Sequence, residues 1–450
     1  MARQININKG LNINLLGEAE KIIADLPIPG TFAIKPTDFI GITPKLLVNK
    51  GDEIQAGTPL FYDKNNEKVK FCSPVSGEVV DIIRGDKRRI LEIRILADKE
   101  IVYTSFDKID LERATREDVI NTILNNGGWP FIRQRPYGII PKPDQTPKSI
   151  FISAFDTSPL APDYNFILQG HEEDFQKGLD ALRKLTDGKV HLNIHTAKDS
   201  SVFMQVKGVE INQFSGPHPA GNTGVQIHHI DPINKGEVVW CINPQDVLII
   251  GRLFNHGKFD TTRIIAFTGS QVVSPKYYKT LSGGAIANMF NHAGIKEGEN
   301  RIISGNVLTG QQIEENGYLG FYDAQITVIP EGHEFEFMGW LTPGLKKFSA
   351  SRAFFSWLTP AKKHLLDTNL HGEERPFVVS GEYEKVFPMD IYPVLLLKSI
   401  LIEDIELMEN LGIYEVVEED FALCEFVCTS KIKSQELIRH GLDIVRKEFS

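Results

Sequence analysis

The chain has 450 residues, enough for roughly two to four domains. Apolar residues make up 42% and charged residues 24%, which is the balance of a folded globular protein and excludes disordered and collagen-like chains. With 49 basic against 59 acidic side chains the net charge is −10, which argues against a nucleic-acid binder. No apolar run reaches the roughly 18 residues of a spanning helix; the densest, 393–408, is broken by Lys398, Glu403, Asp404 and Glu406. The first ten residues, MARQININKG, lack the apolar stretch of a secretory signal. Four cysteines exclude a disulfide scaffold and fit a reducing compartment. The expectation is a cytoplasmic, water-soluble, multidomain protein.

Ile5-Asn6-Ile7-Asn8 alternates apolar and polar side chains and predicts a strand. The block 26–98 is β-rich and cut by Gly and Pro. Its centre, Lys50-Gly51-Asp52-Glu53-Ile54-Gln55-Ala56-Gly57, sets two glycines at turns that need φ > 0. A hairpin tip at 63–67 and Ser73-Pro74-Val75-Ser76-Gly77-Glu78-Val79 follow. This order of turn, hairpin and turn is similar to a biotinyl/lipoyl-type domain, a barrel-sandwich hybrid. Lys64 and Lys68 flank the tip, but neither stands in a Met-Lys-Met triplet, so the expectation is solvated lysines and a fold reused as a structural module.

Residues 112–126 predict a helix, with Val119, Ile120, Ile123 and Leu124 on one face, Thr115 as N-cap and Gly127-Gly128 as the stop. The loop beyond it holds Trp129, Phe131, Arg133, Arg135 and Tyr137 between prolines. Two readings stand for it. In one, the rings stack on a flat ligand and the arginines donate to its carbonyl oxygens. In the other, the aromatics plug a domain interface while the arginines stay in water.

From about 148 the pattern becomes α/β: a buried strand at 149–154, an amphipathic helix at 174–185, a strand at 190–194, and apolar segments at 237–242 and 247–251. A dinucleotide fold would set G-x-G-x-x-G after its first strand. Here Phe155-Asp156-Thr157-Ser158-Pro159-Leu160-Ala161-Pro162 follows, with no glycine. The Gly-rich loop 215–224 could form a backbone nest but lacks a P-loop Lys-Ser/Thr. The expectation is an α/β scaffold without a nucleotide motif. Strands at 263–269, 301–305 and 325–330 with a helix at 285–290 suggest a small β-grasp-like module. Helices are expected at 394–411 and 434–449; in the first, Leu397, Leu401, Ile405 and Met408 form a core stripe.

Metal chemistry finds little support. His191 and His195 lie in a predicted strand, about 13 Å apart at ~3.3 Å per residue. His228 and His229 would face opposite ways if extended. Cys424 and Cys428 form a lone C-x3-C, short of the four ligands of a zinc site or an iron–sulfur cluster.

Taken together the chain resembles one family, the NqrA family of the sodium-translocating NADH:quinone oxidoreductases. The resemblance is carried by Lys9-Gly10-Leu11-Asn12-Ile13, Lys70-Phe71-Cys72-Ser73-Pro74-Val75-Ser76-Gly77, and Gly127-Gly128-Trp129-Pro130 with its Arg-x-Arg-Pro tail. It continues through Gly216-Pro217-His218-Pro219-Ala220-Gly221, Thr268-Gly269-Ser270, Phe387-Pro388-Met389-Asp390-Ile391 and Glu418-Glu419-Asp420-Phe421-Ala422-Leu423-Cys424. The C component of the Rnf complex is a cousin, but its two cluster motifs are missing here.

The resemblance implies a mixed α/β and α+β chain. Residues 1–98 would hold an N-terminal segment and the hybrid, and 99–256 an α/β domain like the flavin-binding component of complex I. A soluble-ligand-binding β-grasp module would occupy 257–330 and a mostly helical domain 331–450. It implies a peripheral subunit on the cytoplasmic face of the bacterial inner membrane, with five partner subunits, one in the membrane foremost. That complex oxidises NADH, reduces ubiquinone or menaquinone and exports Na+. No flavin, cluster or metal is expected in this chain; flavins and iron–sulfur centres would reside in its partners, and quinone is the substrate. No catalytic residue is assigned. Candidate quinone contacts are Trp129, Phe131, Arg133, Arg135 and Tyr137, with Ile34 and Lys35; the arginines would polarise the carbonyls and steady a reduced quinone anion without donating protons. The competing expectation is a structural adaptor of a membrane redox complex, Rnf-like, with no ligand site.

Overall fold

A computed structural model describes residues 3–197, 200–333 and 338–449. The hybrid is built as expected. Strands Thr31–Ile34, Ile90–Ala97, Gly77–Arg84 and Glu53–Ile54 form one sheet; Pro44–Leu46, Pro59–Asp63 and Asn66–Cys72 form a second. Phe32, Phe39, Phe61, Phe71, Val79 and Ile93 fill the space between them. Gly51 and Gly57 both take positive φ, 90° and 99°, as their turns require. Lys64 and Lys68 are exposed around the hairpin.

The first residues of the chain lie apart from the hybrid. Arg3–Asn6 pairs in parallel with Glu210–Ser215, and Glu20–Ala24 pairs in parallel with Lys276–Leu281. Each is an edge strand of a different six-stranded sheet.

In the α/β domain, the helix Arg116–Asn125 starts in a capping box. Thr115 accepts from the Asp118 amide, and Asp118 accepts from the Thr115 amide. The sheet runs in the order Arg3–Asn6, Glu210–Ser215, Lys189–His195, Ser149–Ser153, Val239–Cys241, Arg133–Arg135. All pairs are parallel except the last. From Ser149–Ser153 the chain builds outward to one side, then returns to lay Val239–Cys241 on the other. A crevice opens where the two directions part.

One segment departs from the expectation. Residues 247–251 belong to a helix, Pro244–His256, not to a further strand-like segment. Asn243 caps it, Pro244 opens it, and Gly257 at φ 63° ends it. Every residue from Pro244 to Phe254 is buried, so no polar face marks the helical period. It crosses Glu172–Arg183 at very close range: a Cβ on Gly251 would fall 1.8 Å from the Asp174 carbonyl oxygen, and one on Gly178 2.2 Å from that of Val247.

The second six-stranded sheet orders Gln311–Ile313, Asn300–Ser304, Gln325–Pro330, Thr262–Thr268, Lys276–Leu281 and Glu20–Ala24. The C-terminal part becomes helical from Glu382 onward. The expected helix 394–411 is two helices, Pro393–Leu401 and Ile405–Asn410. Glu403 at φ 54° breaks it, and Asp404 caps the second by accepting from the Leu407 amide. The break turns Leu401 into solvent while Leu397 and Met408 stay in the core. Helix Ser434–Glu448 packs Ile438, Leu442 and Val445 inward. Among the described residues no helix is long and apolar enough to cross a membrane.

Candidate functional site

The crevice at the strand ends holds a cavity of about 170 Å³. Ser153, Phe155 and Asp156 reach it from the carboxyl end of Ser149–Ser153; Cys241, Ile242 and Asn243 reach it from the end of Val239–Cys241. Gly221, Asn222 and Thr223 bring the start of helix Thr223–Ile230. The second sheet's domain adds Leu308, Tyr322 and Gln325, and Glu419 enters from the C-terminal part. Three domains therefore wall one cavity.

Its polar lining is tightly cross-bonded. Ser153 Oγ donates to the carbonyls of Phe155 (2.8 Å) and Gly221 (3.0 Å). Asn243 Nδ2 donates to the Tyr164 hydroxyl at 2.7 Å. His218 Nδ1 lies 3.1 Å from Thr157 Oγ1, and burial lowers this imidazole to about 4, so it is neutral at pH 7. Burial pushes the Cys241 thiol up to about 11 and the Tyr322 phenol well above its usual range. Arg133, partly buried, sets its guanidinium 5.1 Å from the Tyr322 ring centroid, and the Tyr322 hydroxyl donates to the Pro130 carbonyl at 2.7 Å.

Of the seven side chains singled out in the sequence, Arg133 alone lines this cavity. Trp129 is fully buried, edge-on to Trp240 at 5.5 Å, and its Nε1 donates to the Pro141 carbonyl. Phe131 stacks on Phe321 at 4.7 Å. Ile34 lies in the hybrid core; Lys35 Nζ donates to the Tyr318 carbonyl and faces Asp38 at 3.8 Å. Tyr137, at φ 81°, meets Tyr414 edge-on at 6.4 Å.

Arg135 is committed to the C-terminal part. It donates to Asp420 at 2.5 Å, Glu419 at 2.6 Å and the Glu415 carbonyl at 3.3 Å, and is 3% exposed. Burial would raise the Glu419 carboxyl, but Arg135 and Arg133 outweigh it and hold that acid low. For Asp420, sealed from solvent, burial wins over Arg135 and the carboxyl is raised.

His228 and His229 are helical rather than extended. His228 pairs with Glu415 at 2.8 Å and accepts from the Asp390 amide, while His229 Nε2 lies 3.0 Å from the Pro388 carbonyl. They dock the C-terminal part onto the α/β sheet. His191 stacks on Phe151 at 4.6 Å. Among the described residues no group of three or more His, Cys, Asp or Glu side chains is placed to hold a metal ion. Cys72, Cys241, Cys424 and Cys428 are buried free thiols.

Most of the cavity wall carries no motif that a local reading would catch. Asp156, His218, Asn243, Tyr322 and Glu419 come from five separate stretches. The one available signal was positional: polar side chains directly after the apolar strands 149–153 and 239–241, where open parallel sheets place their ligands.

Comparison with known proteins places the chain. Family models match in three successive stretches: the NqrA N-terminal barrel-sandwich hybrid domain over residues 5–98, the NqrA second alpha/beta domain over 114–259, and the NQRA C-terminal domain over 264–315. Proteins named as the NqrA component of the Na(+)-translocating NADH-quinone reductase align end to end. Those of Photorhabdus laumondii and Pasteurella multocida are each 38% identical, covering 99% of this chain and 100% of theirs. The chain belongs to this family. The relative from Rhodopirellula baltica is 39% identical over 98% of both chains. A solved NAD+-reducing NiFe-hydrogenase is a distant likeness (12% identity, 48% of this chain and 47% of that chain, TM-score 0.37) and carries nothing further.

Proposed function

We propose that this chain is the peripheral, quinone-side subunit of a Na+-translocating NADH-quinone reductase, without a redox centre of its own. It would sit on the cytoplasmic face of the membrane, joined to five partner subunits that carry the flavins, the iron–sulfur centres and the ion path. Support for membership in the complex is the end-to-end match to relatives that bear its name. The lack of an own cluster fits the thiol chemistry: burial pushes Cys72 to about 12, Cys241 to about 11 and Cys424 well above its usual range, so they are protonated and poor metal ligands.

One observation carries the quinone part: Arg133, stacked on Tyr322, opens into the crevice at the strand ends. A quinone head is a flat ring with two carbonyl acceptors. Arg133 would donate to one carbonyl, and the walls formed by Phe155, Ile242 and Leu308 would take the ring. Arg133 remains protonated and His218 neutral, so these residues bind and orient a quinone but do not protonate it.

The test is a titration of the purified chain with a short-tailed ubiquinone, followed by tryptophan fluorescence. Trp240 precedes Cys241, which borders the cavity, and should report occupancy. Saturable quenching that weakens at least tenfold in Arg133→Gln supports the reading. No quenching in the wild type, together with an unchanged quinone KM when Arg133→Gln is assembled into the complex, overturns it. That result would favour the structural-adaptor reading, which draws on the internal commitments of Trp129, Phe131 and Arg135.

A further inference from the structure

The chain as a whole is acidic, yet its sequence from Met338 to Leu365 contains no Asp or Glu and five cations: Lys346, Lys347, Arg352, Lys362 and Lys363. The same stretch exposes large apolar side chains. Leu345 is 63% exposed, Leu341 and Leu358 60% each, Phe355 58%, Leu365 53% and Trp357 47%. Regular structure is limited to two short 3-10 turns, Gly339–Leu341 and Phe355–Leu358.

The segment is nonetheless tied to the body. The His364 amide donates to the Asn14 carbonyl at 2.7 Å, and the His364 carbonyl accepts from the Leu16 amide at 3.0 Å. Phe348 packs edge-on to both His364 and Phe426. It also closes on itself: the Phe355 amide donates to the Pro343 carbonyl, and Lys362 Nζ donates to that of Leu345. Arg352 stands 5.9 Å from the Trp357 ring centroid, so cation and aromatic are presented together.

An apolar surface of this kind calls for a cover. Its charge selects which one. The cores of protein–protein interfaces are depleted in Lys, whereas this stretch has four. Trp, Phe and Leu tips set among Lys and Arg are the composition that inserts at a headgroup boundary and meets anionic lipid. The remaining surface is acidic and would be turned away from such a bilayer, which also fixes an orientation.

We propose that the 338–365 segment is a docking surface for an anionic lipid bilayer. Leu341, Leu345, Phe355 and Leu358 enter the interface, and the five cations meet lipid phosphates. The inference stands on surface chemistry and is independent of the quinone reading, since a chain that ignores vesicles leaves the crevice argument intact.

The experiment is co-sedimentation of the purified full-length chain with phosphatidylglycerol/phosphatidylethanolamine vesicles and, in parallel, with phosphatidylcholine vesicles. Expected are binding to the anionic vesicles at least tenfold tighter than to the neutral ones, a loss of that preference in high salt, and a blue shift of tryptophan emission absent in Trp357→Phe. The triple variant Lys346→Gln, Lys347→Gln, Arg352→Gln should weaken anionic binding roughly a hundredfold. Leu345→Ser with Leu358→Ser should weaken binding to both vesicle types. Failure of the wild type to sediment with anionic vesicles overturns the proposal, as does equal binding to both lipids or binding that neither variant alters. A wild type that ignores vesicles, with variants that no longer assemble into the complex, would assign the surface to a protein partner and likewise overturn it.

Discussion

Arg135→Met should loosen the C-terminal part of the chain. The guanidinium lies between Glu419, whose side chain is 31% exposed, and Asp420, which is sealed from water. Glu419 can re-solvate when the arginine is removed, so its share is about 1 kcal/mol or less. Asp420 cannot. It keeps only the Val417 amide, at 2.9 Å, as a donor to its Oδ2. Stranding one member of a buried pair costs about 3–5 kcal/mol. The assay is native-state hydrogen exchange on helix Ser434–Glu448, whose Ser434 hydroxyl donates to the Phe421 carbonyl directly after Asp420. Protection there should fall about 10²–10³-fold. Adding Asp420→Asn should restore most of it, because no carboxylate is then stranded. Lowering the pH should also shrink the Arg135→Met defect: burial already raises the Asp420 acid, and its protonated form carries no charge to strand. A loss of protection below tenfold would refute this reasoning, as would a double variant no better than the single one.

Asp38 gives a pH signature. Burial raises it to about 6 against the pull of Lys35, so above pH 6 the folded chain holds a carboxylate that the unfolded chain solvates better. Asp38→Asn should therefore be more stable than wild type at pH 7, by on the order of 3 kcal/mol from the shift. The gain should disappear as pH falls from 6 to below 4, as read by urea midpoints. Gly178→Ala should destabilise by about 1–3 kcal/mol or more, since its Cβ meets the rigid Val247 backbone; thermal scanning measures it. Thr115→Ala, at an exposed capping box, should cost about 1 kcal/mol in the same scan.

Local chemistry was readable in the sequence where one short stretch settles the outcome. The Thr115 cap, the turns at Gly51 and Gly57, and the buried strand at 149–153 are of this kind. The helix Pro244–His256 was not, because burial on every side removes the polar face that displays a 3.6-residue period; Pro244 and Gly257 were the punctuation that could have marked it. The 129–137 loop announced itself by composition but not by destination. Trp129 turns in to Trp240, Phe131 to Phe321, and Arg135 to carboxylates nearly three hundred residues away. No local pattern encodes such partners. The cavity was hidden for the same reason, being assembled from strand ends and from two neighbouring domains.

The paired edges at Arg3–Asn6 and Glu20–Ala24 bear on how this polypeptide is made and cut. Their docking partners, Glu210–Ser215 and Lys276–Leu281, leave the ribosome much later, so the earliest residues must wait unmatched while the hybrid is already able to close. Trimming the leading 25 residues to isolate a tidy fragment would bare a flank on each of two sheets. Bared strand flanks recruit one another, and such a fragment should clump rather than dissolve.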